Sequence, residues 1–300
     1  MPICEADPWR FQYFENIPCP ADVRISTEDP DSWEWFPRHR WIYDKLSVAL
    51  SQGLKAAPHG VMPPSFPVFS KPIMNLRGMG TGSQVINSAE EYGTALTAGH
   101  FWCTLLTGPN VSTDVALVDG EPRWWRHTTG VTAPGGTFDY WLIQAAPMPE
   151  VEDWCGAWSR KHLRGYTGMA NFETIGGRII EAHLRFADQW PDLYGKGWVE
   201  AVIDLHVTGR WTYPDTDRTD GYSVVLFGPH GPRYRHPPAS LVQEVLAAPG
   251  VSSVQITFHE DKAPEHHAMP PGGFRLAIVN ARSLEAGRAA RTRLGSVLLG

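Results

Sequence analysis

Apolar and polar positions alternate on both sides of Gly176-Gly177. Before the glycines the chain reads Gly168-Met169-Ala170-Asn171-Phe172-Glu173-Thr174-Ile175, and after them Arg178-Ile179-Ile180-Glu181-Ala182-His183-Leu184-Arg185. A two-residue period predicts strands, and a pair of glycines between them predicts a tight hairpin turn. Elsewhere the period is helical. Trp41, Ile42, Leu46, Ala49, Leu50 and Leu54 recur at three to four residues, which predicts a helix over 38–56. Phe66–Ile73 reads as a strand, followed by a loop containing Gly78, Gly80 and Gly82. Ser88 to Thr97 reads as a helix with Ser88 as N-cap and Glu91 three residues on. Strands are expected near 101–106 and 113–118, with a turn at Asp119-Gly120 and a returning strand at 123–128. A helix is expected over 150–163. Residues 195–207 fit helix or strand, and 213–222 read as a polar loop. Strands follow near 222–227, 254–258 and 274–279, with helices near 238–247 and 284–294. Residues 1–37 show no period. Strands and helices in this mixed order indicate an α+β protein.

The charges on the hairpin suggest chemistry. Side chains two apart on a strand share a face, so Glu181, His183 and Arg185 are expected to point one way, with Glu173 across the turn beside Glu181. Two carboxylates, an imidazole and a guanidinium on one face suit a metal ion beside an anion. Carboxylate oxygens fit Mg²⁺, which keeps few protein ligands and adds substrate phosphates. A guanidinium fits phosphate. An amphipathic hairpin with an exposed charged face is the plainer reading of this segment alone. Lys71, at the end of a strand and before the glycine-rich loop, offers an ammonium for phosphates. Glycine N–H groups can approach the same anion closely.

Glu173, Glu181 and Arg185 resemble, in type and spacing, the metal-binding signature of the ATP-grasp superfamily. There, a Glu on one strand precedes a strand carrying Glu-x-Asn-x-Arg. His183 stands where that signature has Asn. A nitrogen donor is softer than an amide oxygen, so His183 binds differently, shifts the ion toward Mn²⁺, or weakens the site. Other segments also resemble the superfamily, in its order along the chain. Pro67-Val68-Phe69-Ser70-Lys71-Pro72 is similar to its strand ending in a nucleotide-binding Lys, and Arg77-Gly78-Met79-Gly80 to its phosphate loop. Asp44-Lys45-Leu46 is similar to a helix start supplying a second Lys. Trp102-Cys103-Thr104-Leu105-Leu106 is similar to the adenine hinge, and Thr113-Asp114-Val115 to a strand bearing an acid toward the cleft.

The resemblance covers about residues 38–190. It implies an ATP-grasp fold of mixed and antiparallel sheets with flanking helices. It also implies an ATP-dependent ligase that activates a carboxylate as an acyl phosphate for attack by an amine or similar nucleophile, releasing ADP and phosphate. ATP and Mg²⁺ or Mn²⁺ are the implied cofactors. Glu173, Glu181 and His183 would hold metal, and Lys45, Lys71 and Arg77 the nucleotide. Gly78, Gly80 and Gly82 would cover the phosphates, while Thr104, Leu105 and Leu106 would line adenine. Asp114 would face the nucleotide, and Arg185 would steady the transferred phosphoryl group. Only 43 residues precede Asp44, without a strand–helix–strand pattern. The domain that precedes the grasp in relatives is therefore expected to be truncated or replaced by an arm over 1–37. Residues 191–300 are expected as a carboxy-terminal α+β segment. A pseudoenzyme or regulatory subunit that binds nucleotide, and a biotin-carboxylase-like enzyme, are the alternatives.

Composition narrows this picture. A formal net charge of −6 and the lack of a basic run argue against a nucleic-acid surface. The longest apolar runs are too short to span a bilayer. No secretory signal opens the chain, and the dispersed Cys4, Cys19, Cys103 and Cys155 read as free thiols of a reducing compartment. A cytoplasmic location is expected, with small-molecule partners and room for a homodimer. His259, Glu260, Asp261, Glu265, His266 and His267 form a ligand-rich run. A zinc scaffold could be built there, but the irregular spacing favours a solvated loop.

Overall fold

The computed structural model describes residues 3–76, 80, 82–134 and 137–300. In chain order the elements are β1 (Ile3–Cys4), β2 (Ile25–Ser26), α1 (Asp29–Trp35), α2 (Lys45–Ser51), β3 (Ala56–Pro58), β4 (Val68–Pro72), β5 (Gln84–Ile86) and α3 (Ala89–Thr94). Next come β6 (His100–Thr104), β7 (Asn110–Val118), β8 (Glu121–Ala133), β9 (Thr137–Gln144), α4 (Pro149–His162), β10 (Gly168–Ile175) and β11 (Arg178–His183). The chain ends with α5 (Trp198–Thr208), β12 (Gly221–Gly228), α6 (Ala239–Leu246), β13 (Val251–Ile256), β14 (Phe274–Ala281) and α7 (Leu284–Leu298). The α+β class expected from the pattern is the class observed. No helix among the described residues is long and apolar enough to cross a membrane.

Two compact units interleave along the sequence. The first comprises Met1–Thr27, Arg126–Pro147 and Ala187–Gly300. In it, β9, β12, β14 and β13 form antiparallel neighbours in that order. Leu226, Val254, Leu276 and Val279 from the sheet meet Leu241 and Val245 of α6 and Ala290, Leu294 and Leu298 of α7 in one core. Residues 195–207, ambiguous by pattern, are helical from Trp198, with Gly197 and Gly209 in left-handed conformations at the two ends. Glycine adopts that conformation without the Cβ clash other residues meet.

This unit also buries Glu5. Removal from water and the nearby Asp188 carboxylate push its pKa up to about 8, against the pull of Arg10. The folded chain therefore binds a proton that the unfolded chain has already lost above the ordinary value of 4.5. Stability should fall as pH rises between those two values. Glu5→Gln is expected to raise the thermal midpoint at about pH 9 and leave it unchanged at about pH 4. A melt showing no pH-dependent gap would refute the assignment.

The second unit comprises Glu28–Trp125 and Met148–Phe186. One sheet is antiparallel, ordered β3-β6-β4-β5. The strands β7, β10 and β11 form an antiparallel group with β10 central. Alternation divides its two faces. Val115, Leu117, Ala170, Phe172 and Ala182 enter a core with Val151, Cys155 and Trp158 of α4. Truncating a fully buried aromatic such as Phe172 would cost roughly 3–5 kcal/mol, so that face fixes the register of all three strands. The opposite face carries Ser112, Asp114, Asn171, Glu173, Glu181 and His183, with the buried Met169 and Ala116 beside them.

The helix expected over 38–56 is instead a short 3-10 turn, Arg40–Tyr43, followed by α2. Asp44 causes the break. Its carboxylate accepts from the Ser47 N–H at 2.9 Å and from Ser47 Oγ at 2.9 Å, starting a new helix. The Lys45 N–H donates to the Ile73 carbonyl, tying this helix start to the end of β4. The capping box at α3 is also shifted. Ser88 Oγ accepts from the Glu91 N–H, but Glu91 reaches back to Asn87 rather than to Ser88.

Candidate active site

The hairpin turn is built by Gly176 and Gly177, with φ of 55° and 75°. Positive φ at both turn positions matches the right-handed twist of the flanking strands. Glu173 pairs directly with Glu181, and Asn171 with His183. On the other side of β10, Glu173 pairs with Ser112 and Asn171 with Asp114. The polar face therefore carries two rows across three strands: Glu181–Glu173–Ser112 and His183–Asn171–Asp114. Arg185 departs from the expected pattern. β11 ends at His183, so Arg185 lies in the bend beyond the strand rather than on its face.

Three of these groups converge. His183 Nε2 lies 3.9 Å from an oxygen of Glu173 and 3.9 Å from an oxygen of Glu181. It is buried and has no hydrogen-bond partner among the described residues. The ligand atoms of all three side chains lie within 4.8 Å of one another. Burial and then the facing Glu181 carboxylate raise the pKa of Glu173. Burial opposes ionisation of Glu181 as well, but His183 and Lys45 outweigh it and hold its pKa below the usual value. The pair thus behaves as two crowded acids of unequal strength.

Both candidate lysines reach this cluster. Lys45, the first residue of α2, pairs through Nζ with Glu181 at 2.7 Å. Lys71, on β4, donates to the Ile180 carbonyl of β11 at 2.7 Å. Burial, its largest influence, lowers the Lys71 pKa, and the nearby Lys45 acts in the same direction. Asp114 is buried and accepts from Asn171 Nδ2 at 2.6 Å. Thr104 ends β6, and Leu105 and Leu106 follow in the link to β7. That link abuts the hairpin turn, where the Gly176 N–H donates to the Pro109 carbonyl at 3.2 Å. Gly80 and Gly82 have positive φ, while Arg77 and Gly78 lie outside the described residues. Among the described residues, the groups able to hold a metal ion do not include the histidine-rich loop. Both ring nitrogens of His267 engage backbone groups, of His259 and Ala263.

Asp29 joins the site from outside the hairpin. It opens α1 and is buried, and both its oxygens lie 2.9 Å from His183 Nδ1. It also takes Arg185 Nε at 3.0 Å and Nη2 at 3.2 Å. Burial alone would raise its pKa, but Arg185 and His183 hold it well below the usual carboxylate range. Nothing in the unpatterned amino-terminal segment marks this residue. Asn171 is a further member of the site, and the period of two marks it, since it sits two residues before Glu173 and so on the same face.

No protein-family model matches the chain, and no curated protein matches it. Solved structures do. An L-amino acid ligase from Bacillus licheniformis superposes with a TM-score of 0.65 at 13% identity, covering 97% of this chain and 82% of that one. The chain has the ATP-grasp fold. A biotin carboxylase from Campylobacter jejuni shares this ATP-grasp architecture with a TM-score of 0.59 at 12% identity, over 93% of this chain and 75% of that one. An N5-carboxyaminoimidazole synthase from Aspergillus clavatus, solved with ADP and 5-aminoimidazole ribonucleotide, gives a TM-score of 0.55 at 12% identity over 92% and 76%. At such identities the ATP-grasp likeness speaks for the fold, and the chemistry rests on the residues described above.

Proposed function

We propose that the protein is an ATP-dependent ligase that activates a small carboxylate as an acyl phosphate, which an amine or similar nucleophile then attacks. The observation that carries this reading is the convergence, on an ATP-grasp fold, of Glu173, Glu181 and His183 with Lys45 and Lys71. A divalent ion fits the donor set. A buried imidazole nitrogen without a partner among the described residues faces two carboxylates, and such a group is costly unless something answers it. Glu173, Glu181 and His183 would hold the ion there, and it would supply positive charge to offset that of the phosphates.

The remaining roles follow from position and charge. Phosphoryl transfer is mostly positioning and charge stabilisation. Lys45 and Lys71 would hold the nucleotide phosphates. Arg185, steadied by Asp29, would face the transferred phosphoryl group. Gly80 and Gly82, with Arg77 and Gly78, would cover the phosphates and exclude water, which hydrolyses acyl phosphates. The link carrying Thr104, Leu105 and Leu106 would receive adenine, and Asp114 would support the nucleotide face through Asn171.

The test is calorimetric titration with a non-hydrolysable ATP analogue, in Mg²⁺, in Mn²⁺ and without metal. Metal-dependent binding is expected. Lys71→Ala should weaken it by about tenfold or more, the loss of one hydrogen bond to a charged group. Unchanged affinity would remove Lys71 from the site. Metal-independent binding without turnover would favour a pseudoenzyme, a reading that His183 in the place of Asn also favours. No binding would refute the proposal.

A further inference from the structure

The two nitrogens of His183 have opposite surroundings. Nδ1 lies 2.9 Å from both oxygens of Asp29. Nε2 is buried without a hydrogen-bond partner among the described residues, 3.9 Å from each of two carboxylates. An ionised carboxylate only accepts, so the short contacts to Asp29 require the proton on Nδ1. The competing arrangement has Arg185 Nη2, 3.2 Å away, donating into Nδ1. That would aim the Nδ1 lone pair at two carboxylate oxygens. It would also turn an Nε2 proton toward acceptors at 3.9 Å, beyond hydrogen-bond reach. The Asp29-bound form is therefore the stable one, and it leaves a bare lone pair on Nε2. A separation of 3.9 Å from each carboxylate is too wide for a hydrogen bond. It is narrower than two metal–ligand bonds of about 2.1 Å end to end.

We infer that Asp29 is the positioning residue of a nitrogen-containing metal centre: it fixes the His183 tautomer that presents Nε2 beside Glu173 and Glu181. The centre accordingly takes an imidazole-tolerant divalent ion such as Mn²⁺, Co²⁺ or Zn²⁺ in preference to Mg²⁺. Carboxylate–histidine–metal relays orient the ring and raise its basicity, and removing the outer carboxylate weakens metal binding. Asp29 also clamps Arg185, so one buried carboxylate sets both the metal-facing imidazole and the guanidinium beside it. This inference deepens the ligase reading and rests on it for the presence of an ion.

The experiment loads the full chain with Mn²⁺ alone and records pulsed electron paramagnetic resonance. A duplicate sample carries ¹⁵N-labelled histidine, and nucleotide-analogue binding is measured in parallel. The expected result is a directly bound ¹⁴N coupling that becomes ¹⁵N on labelling and disappears in His183→Asn. Asp29→Asn should weaken Mn²⁺ binding by about tenfold or more. Because Asp29 is buried against Arg185 and His183, this variant is paired with His183→Asn, which keeps the Asp29–Arg185 contact. His183→Asn should lower the preference for Mn²⁺ over Mg²⁺ by about tenfold, a change that a merely structural role for the histidine would not produce. Bound nucleotide and Mn²⁺ without histidine coupling would overturn this inference and leave the ligase reading standing. Histidine-coupled Mn²⁺ without nucleotide binding would support the inference and sink the ligase reading. Absence of Mn²⁺ binding would overturn the inference.

Discussion

Replacing Glu181 with Gln is expected to lower metal-dependent ATP turnover by about a hundred- to a thousandfold, the usual range for losing one preorganised charge in a site of this kind. The melting transition should change little. Three features of the position support that split. Glu181 pairs across the ladder with Glu173, so removing one charge relieves a repulsion. Gln keeps an oxygen that Lys45 Nζ can still donate to, at the 2.7 Å position the carboxylate now occupies. The apolar side chains that hold β11, including Ile179 and Ala182, are untouched. The net change in stability should stay within about 1 kcal/mol. Turnover and a thermal melt on the same preparation decide it. Normal turnover would remove Glu181 from the metal assignment, and a collapsed melt would make it a structural residue.

The second large effect is expected at the turn. Gly176→Ala and Gly177→Ala each place a side chain at positive φ, at a cost of about 1–2 kcal/mol. Their surroundings differ. A methyl on Gly177 meets open space, whereas one on Gly176 would run into the carbonyl oxygen of Thr107. The link between β6 and β7 would have to shift, which adds roughly 1–3 kcal/mol of overpacking. Gly176→Ala should therefore destabilise clearly more than Gly177→Ala in urea denaturation. It should also weaken nucleotide binding, because the displaced link carries Leu105 and Leu106. Equal losses for the two variants would show that the turn and the link are not coupled.

The cluster of Glu173, Glu181 and His183 is legible because a strand writes its faces into the sequence as a period of two. Glu173, Glu181 and His183 follow from alternation and a glycine pair alone. The break in the 38–56 helix was harder to see, since the apolar spacing runs through Asp44 without interruption. The capping competence of Asp44 was visible, but not that Ser47 would use it. Arg185 was placed by extending the period past the residue where the strand stops. Asp29 was out of reach for a different reason. It joins the site across more than 150 residues of chain from His183, and no local pattern encodes so distant a partner.

The ion pair between Lys45 and Glu181 gives the resting protein a property of its own. The Lys45 ammonium and the Glu181 carboxylate neutralise each other. On the proposed function, an ion arriving alone would have to take Glu181 from Lys45 and strand the ammonium. A nucleotide arriving alone would have to draw Lys45 away and leave the carboxylate beside Glu173 without its counter-charge. Arriving together, each would supply the partner the other displaces. The two ligands would then be linked reciprocally, each tightening the other by the same factor, and the pocket would answer to their coincidence more than to either concentration.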